Sequence, residues 1–152
     1  MVEDLAYLTA RVVAMKDTLS KRDSLVTDKK LKKQIAVAAD SLESIRKRLI
    51  ATKGGTAITG EERIRERLSD IFANVVGYLG RPTELQMERV RSLEKEIGDE
   101  KSKADVLWTK NIAAINESLR VQKAVNEKVT VQVTPPLQWL SKEEFDKTDV
   151  RK

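Results

Sequence analysis

The side chains of this chain that could do chemistry are carboxylates, lysines and two tryptophans, because its 152 residues include no Cys and no His. That absence excludes thiolate nucleophiles, disulfides and Cys- or His-ligated metals, and it removes the commonest general base. The acidic residues fall in close pairs: Glu61/Glu62, Glu94/Glu96 and Asp99/Glu100. Two carboxylates flanking a cleft are what glycoside hydrolysis requires. Placed on helices, however, these pairs fall opposite or beside the apolar stripe. Arg65 and Lys103 stand four residues beyond Glu61 and Asp99, the spacing of a solvated ion pair. The chain shows no EF-hand loop, clustered aspartates, Gly-rich phosphate loop, nucleophile elbow or Ser/Lys dyad spacing. The residues therefore indicate no catalytic group, no bound metal and no cofactor.

The lysines point to a different chemistry. Net charge is +5, and residues 1–53 carry all of it, with 12 Lys/Arg against 7 Asp/Glu, while residues 54–152 hold 17 of each. The excess gathers at Lys29, Lys30, Lys32 and Lys33 and again at Arg46, Lys47 and Arg48. The first cluster opens a helix, where the macrodipole disfavours cations. That local conflict makes Lys29, Lys30, Lys32 and Lys33 the candidate anion-binding residues. No aromatic residue is interleaved with them and no nucleic-acid motif is present, so nucleic acid is not the expected partner. Trp108 lies on an apolar stripe and reads as core. Trp139 sits in a Pro-flanked segment that could stack on a sugar ring or pack on the body of the protein.

These residues must be positioned by helices. Charged residues make up 35% and aromatics 4% of the chain, a helical-bundle profile. The spine is a single helix from Thr83 to Gln122, on the order of 57 Å long at ~1.5 Å per residue. Its stripe is Leu85, Val90, Leu93, Ile97, Ala104, Trp108, Ile112, Ile115 and Leu119. Thr83 with Gln86 forms a capping box at its start. Between Ile97 and Ala104 no apolar residue occurs, and Gly98 stands there, which predicts a kink or a wet band. Helix one, Val2 to Arg22, carries Leu5, Leu8, Val12, Met15 and Leu19. Helix two, Lys29 to Thr52, carries Leu31, Ile35, Ala38, Leu42, Ile45 and Leu49 in strict four–three alternation and ends at Gly54-Gly55. Helix three opens on a second capping box, Thr59/Glu62, presents Ile64, Leu68, Ile71, Val75 and Tyr78, and stops at Gly80.

The short breaks between consecutive helices predict an all-α, antiparallel four-helix bundle made of two αα-hairpins with a long fourth helix. Helix four should overhang helix three and be covered by helices one and two along its second half. The bundle occupies 1–122. Residues 123–152 read as an extended tail, with a strand over Val129, Val131 and Val133, a Pro135-Pro136 stop and a short helix opened by Ser141/Glu144. The tail would pack on the bundle or on a missing domain. The longest apolar run, Ile35 to Ala39, is far short of the ~20 residues of a membrane span, and Glu3 and Asp4 stand where a signal peptide would have its apolar core.

The run from Ile58 to Ile97 resembles the C-terminal helical region of large bacterial sortilin-type, BNR-repeat propeller proteins, a glycosyl hydrolase or sialidase-like family. The likeness rests on Thr-Gly-Glu-Glu at Thr59 to Glu62, Gly-Tyr-x-Gly-Arg-Pro-Thr at Gly77 to Thr83, and Gln86. It continues through Ala113 to Leu119 and Leu140 to Lys147. The family's Asp-box repeats are absent, so the resemblance transfers no catalytic residue. It implies a non-catalytic accessory or interaction module of an exported protein, periplasmic or extracellular, whose partner is an upstream propeller or another protein. The alternative is a basic surface module binding an anionic polymer or lipid through Lys29, Lys30, Lys32 and Lys33.

Overall fold

Helix formation follows the apolar periodicity closely. The computed structural model describes residues 1–53, 60–77 and 80–126, with side chains through residue 121. All regular structure among them is helical: α1 (Val2–Asp23), α2 (Lys29–Leu49), α3 (Ile64–Val76), α4 (Glu84–Leu107), a π-helical turn (Trp108–Ile112) and α5 (Ala113–Asn126). The last three form one uninterrupted helical rod, so the chain is an all-α four-helix bundle. The expected strand over Val129–Val133, Trp139 and the Ser141/Glu144 helix start lie outside the described residues, as do Thr59, Tyr78 and Gly54-Gly55.

Every expected stripe residue of α1 and α2 is buried, Leu5 through Leu19 on one and Leu31 through Leu49 on the other. These two helices pair along their length, and α2 also packs against α3, α4, the π-helical turn and α5. It is the central element. Leu31 and Gln34 at its start lie level with Ser118 and Val121, and Arg48 at its end lies level with Lys103, so α2 runs antiparallel to the long rod. α3 is antiparallel to α4 as well, with Arg67 paired to Glu96. The long rod is thus covered by α3 over its first part and by α2 and α1 over the remainder, the staggered arrangement the sequence predicts.

Several boundaries differ from expectation. α2 ends at Leu49, short of Thr52 and the two glycines, because Ile50 is extended (φ −134°, ψ 146°). Two carboxylates then take over: Glu66 accepts from the Ala51 N–H (3.2 Å) and Glu61 from the Thr52 N–H (3.0 Å) and hydroxyl. Residues 60–63 are not helical, and α3 begins at Ile64 behind an extended Arg63, so Thr59/Glu62 does not open this helix. Its end also comes earlier, at Val76 rather than Gly80. The Thr83/Gln86 box is present in full, each side chain bonding the other residue's backbone N–H.

α4 continues through Gly98 without a break in its helical assignment. The irregularity lies ten residues on, in the π-helical turn. There the Ala113 N–H reaches back to the Trp108 carbonyl, and the Thr109 hydroxyl donates to the Asp105 (2.9 Å) and Val106 carbonyls. The turn absorbs one extra residue, because Leu107 and Ile112 are both buried yet stand five apart. Leu107 rather than Trp108 carries the stripe, and Trp108 packs half-buried at its edge. Leu85, expected on the stripe, is exposed, since α4 begins beyond the reach of α2.

Candidate functional site

The gap in the apolar stripe of the long rod is filled by a charge. Glu100, 4% exposed, occupies the position between Ile97 and Ala104 and faces the last turn of α2. A buried carboxylate needs partners, since desolvation penalises its charged form. Two come from the surface. Lys103, one turn along, donates to Oε1 at 2.7 Å, and Arg48 of α2 brings its Nε to 2.9 Å from Oε2. The Arg48 contact is in ion-pair range but off the line of a hydrogen bond, so Oε2 is charge-paired without a hydrogen bond. Asp99, the other member of the pair, is exposed, and Lys103 bonds Glu100 rather than Asp99. Beside this cluster runs a shallow groove between α2 and the rod, lined by Ser41, Ser44, Ile45, Arg48 and Asn111 among others. The cluster ties α2 to the rod. Among the described residues that line the groove there is no second carboxylate.

In each of the other acidic pairs one member is bonded and the other is exposed. Glu61 lies in the non-helical segment before α3, not on a helix face, and its hydrogen bond from the Thr52 N–H holds its carboxyl below the ordinary range. Arg65 pairs with Glu66 rather than with Glu61. Glu94 is exposed, whereas Glu96 accepts a fork from Arg67, which depresses its pKa and fixes α3 on α4. Among the described residues no group of three carboxylates could hold a metal.

A further ion-pair cluster joins α1 to α2. Glu43 accepts from Arg46 at 2.8 and 2.6 Å and meets the Lys16 ammonium of α1 at 2.6 Å. The Arg46 hydrogen bonds, then that of Lys16, hold its carboxyl from 4.5 down to about 2. A depressed carboxylate stabilises the fold fully above its unfolded pKa and loses that contribution as pH falls through its folded one. Glu43→Gln is therefore expected to flatten the acid side of the stability profile between pH 4.5 and about 2. The site is partly solvated, so the effect should stay below ~1 kcal/mol. Urea titrations across that range check it, and an unchanged acid limb would refute the assignment.

The candidate anion-binding lysines are brought together at one end of the bundle. Lys29, Lys30, Lys32 and Lys33 are all exposed around the first turn of α2, and none forms an ion pair among the described residues. The Asp28 carboxylate caps the helix by accepting from the Leu31 N–H at 2.7 Å, and the first turn contains no acidic residue. Beside them stands α5, whose Ser118 and Val121 line a shallow depression with Asp28, Lys30, Leu31 and Gln34. Sequence reading found the lysines but missed α5 as their neighbour and missed Glu100, whose only signal was its place in the stripe. No helix among the described residues is long and apolar enough to cross a membrane. Comparison of the chain with known protein families, with curated proteins and with solved structures finds no match.

Proposed function

We propose that the chain is a non-catalytic helical module that acts by docking, an accessory part of a larger exported protein, in keeping with its resemblance to the helical region of BNR-repeat propeller proteins. The observation that carries this reading is the apolar surface left on the α3–α4 hairpin. Phe72 (58% exposed) and Val76 (68%) stand one turn apart on α3, and Leu85 (61%) and Met87 occupy the first turn of α4. The Arg67–Glu96 pair sets a register that puts Val76 level with Met87. All four lie past the end of α2, where among the described residues α3 and α4 pack without a third helix. Single exposed apolar residues are ordinary on a protein surface, but four gathered at one end suit an interface.

The partner this reading favours is an upstream propeller of the same parent chain, in the periplasm or outside the cell. The test mixes the 152-residue chain with that propeller segment and follows binding by calorimetry. Binding by the wild-type chain and its loss in Phe72→Asp/Val76→Asp, with helical circular dichroism retained, is the expected result. A wild-type chain that does not bind, or a double variant that binds equally well, sinks the reading. Glycoside turnover by the purified chain that vanishes on a single carboxylate substitution would end it too.

A second reading has its own support in the exposed, unpaired Lys29, Lys30, Lys32 and Lys33. On it the chain is a basic surface module for an anionic polymer or lipid.

A further inference from the structure

The end of the bundle where α1 hands over to α2 combines two features that a solvated face does not need. The first is charge. Residues 21–34 and 117–121 meet there and hold seven Lys/Arg against three Asp/Glu, a balance of +4 out of the chain's net +5. The four α2 lysines also stand against the positive end of their own helix dipole, so they cost the fold local stability instead of adding to it. Solubility could be met by charges placed anywhere.

The second feature is Leu25, at the apex of the connection between the helices and 70% exposed, the most exposed large apolar residue among those described. Its position is fixed. Leu25 and Val26 donate their N–H groups to the Arg22 carbonyl at 2.9 and 3.2 Å, Ser24 donates its hydroxyl to the Lys21 carbonyl, and Val26 is buried in the core. Asp28 is held by its capping bond. With Val26 anchored inward, Leu25 is presented outward as an apolar point in a connection that exposed Lys21 precedes and exposed Lys29, Lys30 and Lys32 follow, and exposed Val121 of α5 lies beside Lys30.

We infer that this end is a peripheral docking face for an anionic lipid surface, with Leu25 entering the acyl boundary and the lysines lying among acidic headgroups. The inference rests on the second reading above and commits it to one partner. A soluble polyanion would satisfy the charges but leave Leu25 in water, whereas an interface takes both at once. Long lysine stems suit the arrangement, since their methylenes can lie along the apolar layer while the ammonium stays among headgroups. The association is reversible, as expected for one small apolar point assisted by charge.

Sedimentation with phosphatidylcholine vesicles, with and without phosphatidylglycerol, tests it, alongside retention on heparin as a soluble polyanion. The wild-type chain should bind only the vesicles containing phosphatidylglycerol, and added salt should weaken the binding. Each lysine removed near such a surface weakens binding about fivefold. Lys29→Glu/Lys30→Glu should therefore lose at least ~25-fold while its melting temperature rises, because acidic residues in a first turn suit the dipole. A variant that folds better and binds worse cannot be explained by misfolding. Leu25→Ser should lose about tenfold in vesicle binding and nothing on heparin. Failure of the wild-type chain to bind acidic vesicles, or equal vesicle binding by Leu25→Ser, overturns the inference. Lysine-dependent heparin retention in that event leaves the second reading standing, and loss of both binding modes removes it as well.

Discussion

Leu42→Ala is expected to destabilise the protein by close to 5 kcal/mol, near the top of the ~2–5 kcal/mol range for such truncations. Leu42 is fully buried midway along α2, the one helix that packs against all the others. Leu42 belongs to the one core cluster that the stripes of α1, α2 and the long rod share. A cavity in a cluster held from three sides cannot collapse inward, so most of it would persist. Leu93→Ala removes the same atoms from α4 about one turn before Glu96, the partner of Arg67 on α3, and two helices can close up by a small slide. Its cost should fall near the bottom of the range, about 2 kcal/mol. Urea unfolding of both variants decides the matter: equal losses, or a Leu42→Ala loss below about 0.5 kcal/mol, would refute the central role of α2.

Removing the cations around Glu100 should cost almost as much. Arg48→Met together with Lys103→Met leaves a carboxylate buried in the stripe with neither of its charge partners, a situation worth about 3–5 kcal/mol. The two basic side chains are themselves half exposed, so they lose little by the change; the penalty falls on Glu100. Glu100→Leu in the otherwise unchanged chain should have the opposite outcome. It replaces a desolvated charge with an apolar group of similar length, which is commonly neutral or stabilising by ~1–4 kcal/mol. Placed in the Arg48→Met/Lys103→Met background, Glu100→Leu should recover the loss. A double variant as stable as the wild type, or a Glu100→Leu variant that unfolds, would show that the cluster is not what the geometry indicates.

Glu100 also shows where sequence reasoning runs out. The stripes of α1 and α2 were legible to the residue, because three–four spacing of Leu, Ile, Val and Met has one physical solution when two helices bury a common face. The same pattern located the long rod and its Thr83/Gln86 start. Between Ile97 and Ala104 the stripe holds a glutamate at the register position of a core residue, and a charge there is read as surface. Its burial follows only from what stands opposite, Arg48 on another helix, which no local pattern reveals. Leu107 was hidden for a related reason: its five-residue separation from Ile112 fits no α-helical face and makes sense only through a π-helical turn. At α2 the misplaced end came from two glycines that look like a terminator, while Glu61 and Glu66 take up the freed N–H groups first. Of the candidate site, the lysines could be read directly, being a run of like charge, but Leu25 could not. A leucine in a loop is a core residue or an exposed one according to whether its neighbour, here Val26, takes the inward place.

The single surplus residue within the long rod has a mechanical consequence. A continuous α-helix is a rigid screw, and a partner seated on one end fixes the azimuth of everything along it. Here the thread is stretched by one residue at Trp108–Ile112, so the length seated against α3 and the end of α2 and the length seated against the start of α2 are each aligned to their own neighbours. The widened turn takes up the angular mismatch between them, much as a coupling joins two shafts that were cut separately.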